Sequence, residues 1–275
     1  MAQLVEHHLA KVRVAGSNPV VRSRDSMWRR GRYMMALFAA LCTAVACSNA
    51  PRYDATVAAA SDTRDAFAEI ASLMRESDGV EIGFVFGSSG MLREQVLNDA
   101  PFDVYVSANV SFVDDVVAKG KGIADTQRSF AVGRLAIVAA EGVELPQDIA
   151  AVAGFERVVI ANPAHAPYGV AARQALISAG VYTAMANRLV LADNVADAVR
   201  IVEAGEAQVG IVALSLVISD DYVVVPESLH EPIRQSLVIT TRAANNAAAQ
   251  RFVQVLESPA GKAILARYGF TVDLP

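Results

Sequence analysis

The sequence predicts an α/β protein of two lobes with a cleft between them. Three observations carry that expectation. From Tyr53 onward, short β-rich runs alternate with helical patterns, the order that builds a sheet covered by helices. No long Pro/Gly/Ser linker divides the chain. Two extended segments, near 131–134 and 233–237, can each carry it from one lobe to the other.

Strands are expected at 53–60, 81–86, 102–107, 134–140, 157–161, 189–192, 209–213, 222–226 and 235–241. Helices are expected near 62–76, 90–98, 110–119, 169–180, 194–204, 244–257 and 259–267. The first helix shows the reasoning: Ala66, Phe67, Ile70, Leu73 and Met74 recur at the spacing that lines up one apolar stripe. The alternation further suggests parallel sheets buried on both faces. With the two crossings, lobe one is 52–132 plus 237–275 and lobe two is 133–236. The cleft beyond the carboxyl ends of the strands is where a ligand is expected.

The first fifty residues read differently. Residues 27–33 are basic, 34–46 form an apolar run too short to span a bilayer comfortably, and Ala44-Val45-Ala46 supplies small residues for cleavage. The segment 27–47 is therefore expected to be a signal peptide and the protein to be periplasmic. Cys47 follows the small residues as in a lipobox, although Ala44 stands where Leu is usual. That leaves lipidation and membrane anchoring through Cys47 open. Residues 1–24 resemble the conceptual translation of a tRNA gene, so residues 1–26 are read as a mis-assigned start, with translation beginning at Met27, Met34 or Met35.

Charge excludes one class of partner. Of 24 Lys/Arg and 29 Asp/Glu, seven and two fall within 1–46, leaving 17 and 27 in the rest and a net charge of −10 there. Such a surface repels nucleic acid. Any anion bound here must be held by local donors rather than by a global field. Both cysteines, Cys42 and Cys47, lie at the N-terminal hydrophobic stretch, so the body holds no disulfide framework or thiolate metal site.

Four strand-to-helix junctions are the candidates for chemistry: Ala58-Ala59-Ala60-Ser61-Asp62, Phe86-Gly87-Ser88-Ser89-Gly90, Asn162-Pro163-Ala164-His165-Ala166-Pro167-Tyr168-Gly169 and Ala192-Asp193-Asn194-Val195. At each, free N–H groups at a helix start, and in the first two a serine hydroxyl, can donate to an anion. Ser61 and Ser89 can equally be plain helix caps worth about 1 kcal/mol each.

An enzyme is the main competing class. Gly87-Ser88-Ser89-Gly90 is like a nucleophile elbow, but Met91 occupies the position where G-x-S-x-G needs glycine. His165 and His230 are the only histidines of the body, and it has no H-x-x-x-H or C-x-x-C ligand pattern. The expectation is no catalysis and no resident cofactor.

The runs AAAS (58–61), FGSSG (86–90), APFDVYVSAN (100–109), NPAHAPYG (162–169), DNVADAVRIVEAGEAQVGIV (193–212) and RYGF (267–270) occur in that order. As an ordered set over 53–272 they resemble the periplasmic molybdate-binding proteins of ABC transporters. The resemblance implies a two-lobed periplasmic-binding-protein fold of type II that closes on an unhydrated oxyanion through hydrogen bonds. It implies capture of molybdate or tungstate, delivery to the membrane permease of an ABC transporter, and a monomer. Molybdenum would be held as the oxyanion by Ser61 and Ser89 through hydroxyl and backbone donors, and by backbone N–H groups of Tyr168 and Val195. The family commonly has a tyrosine hydroxyl where this chain has Ala213, and an acid where it has Leu216. The ring of Tyr168 is one candidate to cover that gap. Alternative readings are a binding protein for sulfate, phosphate or an organic anion, and, further off, a serine-type hydrolase. Molybdate, a full dianion at neutral pH, needs donors only, whereas phosphate keeps a proton and gains from a carboxylate acceptor. Asp62 and Asp193 are the acids near these helix starts.

Overall fold

The computed structural model describes residues 53–272. The signal-peptide and lipidation readings at 27–47, the mis-assigned start at 1–26, and Cys42 and Cys47 lie outside the described residues.

In chain order the elements are β1 (Ala55–Ala60), α1 (Arg64–Asp78), β2 (Ile82–Gly87), α2 (Ser89–Leu97), β3 (Val104–Ser107), α3 (Val110–Ala118), β4 (Arg128–Gly133) and β5 (Leu135–Ala139). Then come β6 (Val158–Ala161), α4 (Pro167–Ser178), α5 (Tyr182–Met185), β7 (Leu189–Ala192), α6 (Val195–Glu203) and β8 (Val209–Ala213). The chain finishes with β9 (Val223–Val224), β10 (Ile233–Ile239), α7 (Ala247–Glu257) and α8 (Pro259–Arg267).

The strands form two five-stranded sheets, ordered β2-β1-β3-β10-β4 and β7-β6-β8-β5-β9. Both are mixed, which corrects the expectation of parallel sheets. β1, β2 and β3 run parallel, as do β6, β7 and β8. β10 runs antiparallel to β3 and β4, and β5 antiparallel to β8 and β9. The reason is the crossover. β4 ends at Gly133 in one sheet and β5 begins at Leu135 in the other, while β10 returns to the first sheet from Ile233. Strands that carry the chain between lobes enter each sheet against the direction set by its β-α-β units. The strand at 128–133 has no counterpart in the sequence reading. Its RSFAVG mixes exposed and buried residues without a clean alternation.

Packing follows the apolar stripes. α1 buries Ala66, Phe67, Ile70 and Met74 against the first sheet, and Phe67, Phe84 and Phe252 pack ring on ring there. A buried Phe of this kind contributes about 1.5–3 kcal/mol relative to exposure. The opposite face is covered by α2 and α3 through Leu92, Val96, Val113 and Val116. The second sheet has its own core, from Leu135 and Ile137 through Ile160, Leu176 and Ile211. α1 stops at Gly79, whose positive φ of 66° lets its N–H return to the Arg75 carbonyl.

Candidate functional site

β1, β2, β6 and β7 are parallel strands whose carboxyl ends open into a helical turn, and all four predicted junctions lie there. The structure brings them together. Ser61, Ser89, Tyr168 and Val195 line one small cavity with Asp62, Ser88, Pro167 and neighbouring small residues. The space between these residues, counted with the solvent at its mouth, is about 190 Å³. Among the described residues no Lys, Arg or His lines it. The four predicted residues are all buried, at 1–4% exposure.

Local sequence explains the placement. Ser89 and Val195 are the first residues of α2 and α6, and Tyr168 follows Pro167 at the start of α4. Their N–H groups have no acceptor in a preceding turn and carry the positive end of the helix dipole. Pro167 fits the first helical position, where its missing N–H loses nothing. Asn194 caps α6, accepting from the Ala196 and Asp197 N–H groups at 3.0 Å each.

The two serine side chains do not act as caps of their own helices. Ser89 Oγ accepts from the Ala108 N–H at 3.0 Å, and Ser61 Oγ accepts from the Ala196 N–H across the cleft at 3.3 Å. A hydroxyl has one hydrogen and two lone pairs, so each serine uses its oxygen as acceptor and keeps its hydrogen to donate. Tyr105 holds the Ser89 turn by donating to its carbonyl at 2.8 Å. Burial raises the Tyr105 hydroxyl's pKa, so it stays a donor.

Further bonds join the lobes around the cavity. Ser88 Oγ donates to the His165 carbonyl at 2.6 Å, and the Gly90 N–H donates to the same oxygen at 2.9 Å. His165 Nδ1 lies 2.8 Å from Ser88 Oγ. With the hydroxyl hydrogen committed to the carbonyl, that ring nitrogen is the donor. Ser88 is thereby a strut between lobes, not a hydroxyl deprotonated by a base. His230 bonds the Glu231 carbonyl instead, and Asp193 is exposed. Among the described residues no group of three or more His, Cys, Asp or Glu is placed to hold a metal ion.

Ala213 is fully buried at the end of β8 and does not line the cavity. The segment after it reaches the site by another route: Ser215 Oγ donates to the Asp62 carbonyl at 2.7 Å. The Tyr168 ring points to the crossover, where a Cβ on Gly133 would overlap its hydroxyl.

Beside the cavity lies a second polar group that the sequence reading named only as an acid near a helix start. Asp62 is 1% exposed, and its Oδ2 accepts from Gln235 Nε2 of β10 at 2.6 Å. Asp62 Oδ1, the Tyr168 hydroxyl and Gln235 Oε1 have no partner at hydrogen-bond geometry. Burial pushes the Asp62 carboxyl up to about 7, and the nearby Tyr168 phenol, its own backbone and the Gln235 amide offset only part of that. Burial and the neighbouring Asp62 charge drive the Tyr168 hydroxyl upward as well. Gln235 could not have been found from sequence: it sits 173 positions from Asp62 in an otherwise ordinary strand.

Residues 55–271 match the family model described as bacterial extracellular solute-binding protein. The chain is 33% identical over 252 residues to the molybdate-binding protein ModA of Azotobacter vinelandii, covering 87% of this chain and 96% of that protein. It is 32% identical over 209 residues to the molybdate-binding protein ModA of Rhodobacter capsulatus, covering 74% and 83%. Among solved structures, the periplasmic molybdate-binding protein of Azotobacter vinelandii superposes with a TM-score of 0.76 at 27% identity, over 80% of this chain and 99% of that one.

Proposed function

We propose that this chain, which belongs to the bacterial extracellular solute-binding proteins and within them to the molybdate-binding family, captures molybdate or tungstate outside the cytoplasm. It then delivers the anion to the membrane permease of an ABC transporter. One observation carries the choice of ligand. Four separate chain segments converge on a small cavity furnished with serine hydroxyls and helix-start N–H groups, with no basic side chain among the described residues of its wall. A fully deprotonated, dehydrated dianion asks for donors alone, and fixed dipoles supply them without the hydration shell that a lysine would bring. Ser61, Ser89, Tyr168 and Val195 are the proposed ligand-binding residues.

Asp62 is the one feature that favours a second reading. An ionised carboxylate in the wall would accept a hydrogen bond from a protonated oxyanion such as phosphate and repel a dianion. The assignment therefore turns on a titration of purified protein against molybdate, tungstate, sulfate and phosphate, read as a shift in melting temperature. Micromolar molybdate and tungstate are expected to stabilise the protein, with sulfate and phosphate nearly silent. A shift with phosphate and none with molybdate would overturn the reading. The paired replacement Ser61→Ala and Ser89→Ala is expected to abolish the molybdate shift while the fold persists.

Periplasmic residence follows the same reading, and among the described residues no helix is long and apolar enough to cross a membrane. Anchoring through a lipidated Cys47 is a separate proposal. Metabolic labelling with a fatty acid, lost on Cys47→Ser, tests it.

A further inference from the structure

We propose that Asp62 is a proton-linked specificity residue: it carries its own proton when the cleft closes on a dianion, so that capture of the anion takes up a proton from solution. The inference rests on the oxyanion reading above and adds a residue to it.

The geometry supplies the reason. Asp62 lines the cavity wall, is 1% exposed, and is enclosed from both lobes. Asp62 and Gln235 belong to the lobe of the first sheet; Tyr168, at the start of α4, and Ser215, after β8, belong to the other. The far lobe therefore contributes to its burial, and in an opened cleft the carboxyl would meet water, where it ionises near its ordinary value of about 4.

The donor inventory in the closed form is short. An ionised Asp62 offers only acceptors. Gln235 Nε2 fills one of them, whereas Asp62 Oδ1 and Gln235 Oε1 are left without partners. Protonating Asp62 removes a buried charge and adds a second donor beside the Tyr168 hydroxyl, for two acceptors that have no partner. Among the described residues no cation is placed to do the same. Around Asp62, α1 begins with Arg64 and Asp65, α6 carries Asp197, Arg200 and Glu203, and α4 contributes Tyr168. Of these, only Tyr168 acts on the carboxyl, and as a neutral phenol. Arg64 pairs with Asp65, Arg200 with Asp197, and Arg134, beside Gly133, with Glu227. The turn Leu214–Leu216 that reaches Asp62 has no titratable group. A dianion entering the cavity adds like charge, which favours the neutral acid further.

Calorimetric titration of molybdate into the purified protein at pH 6.5 and 8.5, in buffers of different ionisation enthalpy, counts the protons. Uptake of up to one proton per anion is expected at pH 6.5. With a closed-form carboxyl near 7, affinity should fall about fourfold or more by pH 8.5. Asp62→Asn, nearly the same shape with no proton to take up, should bind with equal affinity at both pH values and release the buffer dependence. Binding of molybdate with no proton uptake and a flat pH profile in the unsubstituted protein would overturn the inference while leaving the oxyanion reading intact. An Asp62→Asn profile that still follows the unsubstituted one would do the same. Absence of molybdate binding at both pH values, with phosphate binding that strengthens as pH rises, would overturn both. If Asp62→Asn does not fold, the proton count on the unsubstituted protein decides alone.

Discussion

The serine wall of the cavity and the Asp62 group beside it are both buried and polar, yet they are built on opposite hydrogen-bond balances. In the wall, Ser61 Oγ and Ser89 Oγ each accept from a backbone N–H, so each hydroxyl hydrogen is left to point at a ligand. In the Asp62 group, both carboxylate oxygens and Gln235 Oε1 face only the Gln235 amide and the Tyr168 hydroxyl as donors, and three polar atoms have no partner. Burying such an atom unsatisfied costs about 1–3 kcal/mol. The contrast separates two tasks. A donor surplus can receive an anion as it stands, whereas an acceptor surplus must gain a proton before an anion can come near.

The largest effects should fall on the wall. A hydrogen bond to a charged group contributes about 1.5–3 kcal/mol, so Ser61→Ala and Ser89→Ala should each weaken molybdate binding by roughly ten- to a hundredfold. The two should differ in the ligand-free protein. Removing Ser61 Oγ leaves the Ala196 N–H still bonded to Asn194 Oδ1. Removing Ser89 Oγ leaves the Ala108 N–H, 2% exposed at its residue, with nothing in its place. Urea unfolding without anion should therefore show Ser89→Ala about 1–2 kcal/mol less stable and Ser61→Ala close to unchanged. Equal stabilities would mean that the wall is not held as described.

The Asp62 group should then reveal itself through pH. Its folded-state pKa of about 7 lies above the unfolded value of 3.8. The closed native state therefore keeps a proton that the unfolded chain loses between those values. Its contribution is complete below about pH 4 and is lost as pH rises through 7. Between pH 5 and pH 8 the protein held closed by saturating molybdate should lose about 2–3 kcal/mol more than Asp62→Asn does under the same conditions. Parallel urea profiles for the two proteins would remove Asp62 from the account.

The two regions were unequally legible in the sequence. Each wall residue sits where an apolar run meets a helix start, and short runs such as FGSSG and NPAHAPYG mark those places locally. Seven of the helices announced themselves through 3.6-residue stripes or caps, as α1 did through Phe67, Ile70 and Met74. The Asp62 group has no such mark. It joins residues from the first turn after β1, the start of α4 and the middle of β10, and only the tertiary fold makes them neighbours. β4 escaped for a related reason. Its partner β10 lies about a hundred residues away, and a bulge at Gln235/Ser236 interrupts their register, so nothing local fixes which face is buried. By size, the Tyr168 ring is a candidate to cover the gap at Ala213. The structure sends the ring to Gly133 because that glycine leaves room for the hydroxyl.

That room is the basis of a smaller prediction. Gly133→Ala would drive a methyl into the Tyr168 hydroxyl and the amide of Gln235, and overpacking of this kind costs about 1–3 kcal/mol. Tyr168→Phe removes the hydroxyl and should recover part of the loss, so the pair should be non-additive by about 1 kcal/mol. Strict additivity in a double-mutant cycle would show that Gly133 is constrained by something other than the phenol.

The smallest effect should come from Ser215, which links the two regions. Its hydroxyl donates to the Asp62 carbonyl from the far lobe, so it neither faces the anion nor carries charge. Ser215→Ala removes one buried hydrogen bond and should cost about 1 kcal/mol. Because that bond spans the cleft, the loss should fall on the closed form and appear mainly as faster release of molybdate in stopped-flow measurements. The proton uptake should remain as in the unsubstituted protein, since the Asp62 carboxyl keeps Gln235 and its burial. A changed proton count in Ser215→Ala would mean that the turn after β8 controls the Asp62 side chain as well as its backbone, and the two regions would then have to be treated as one.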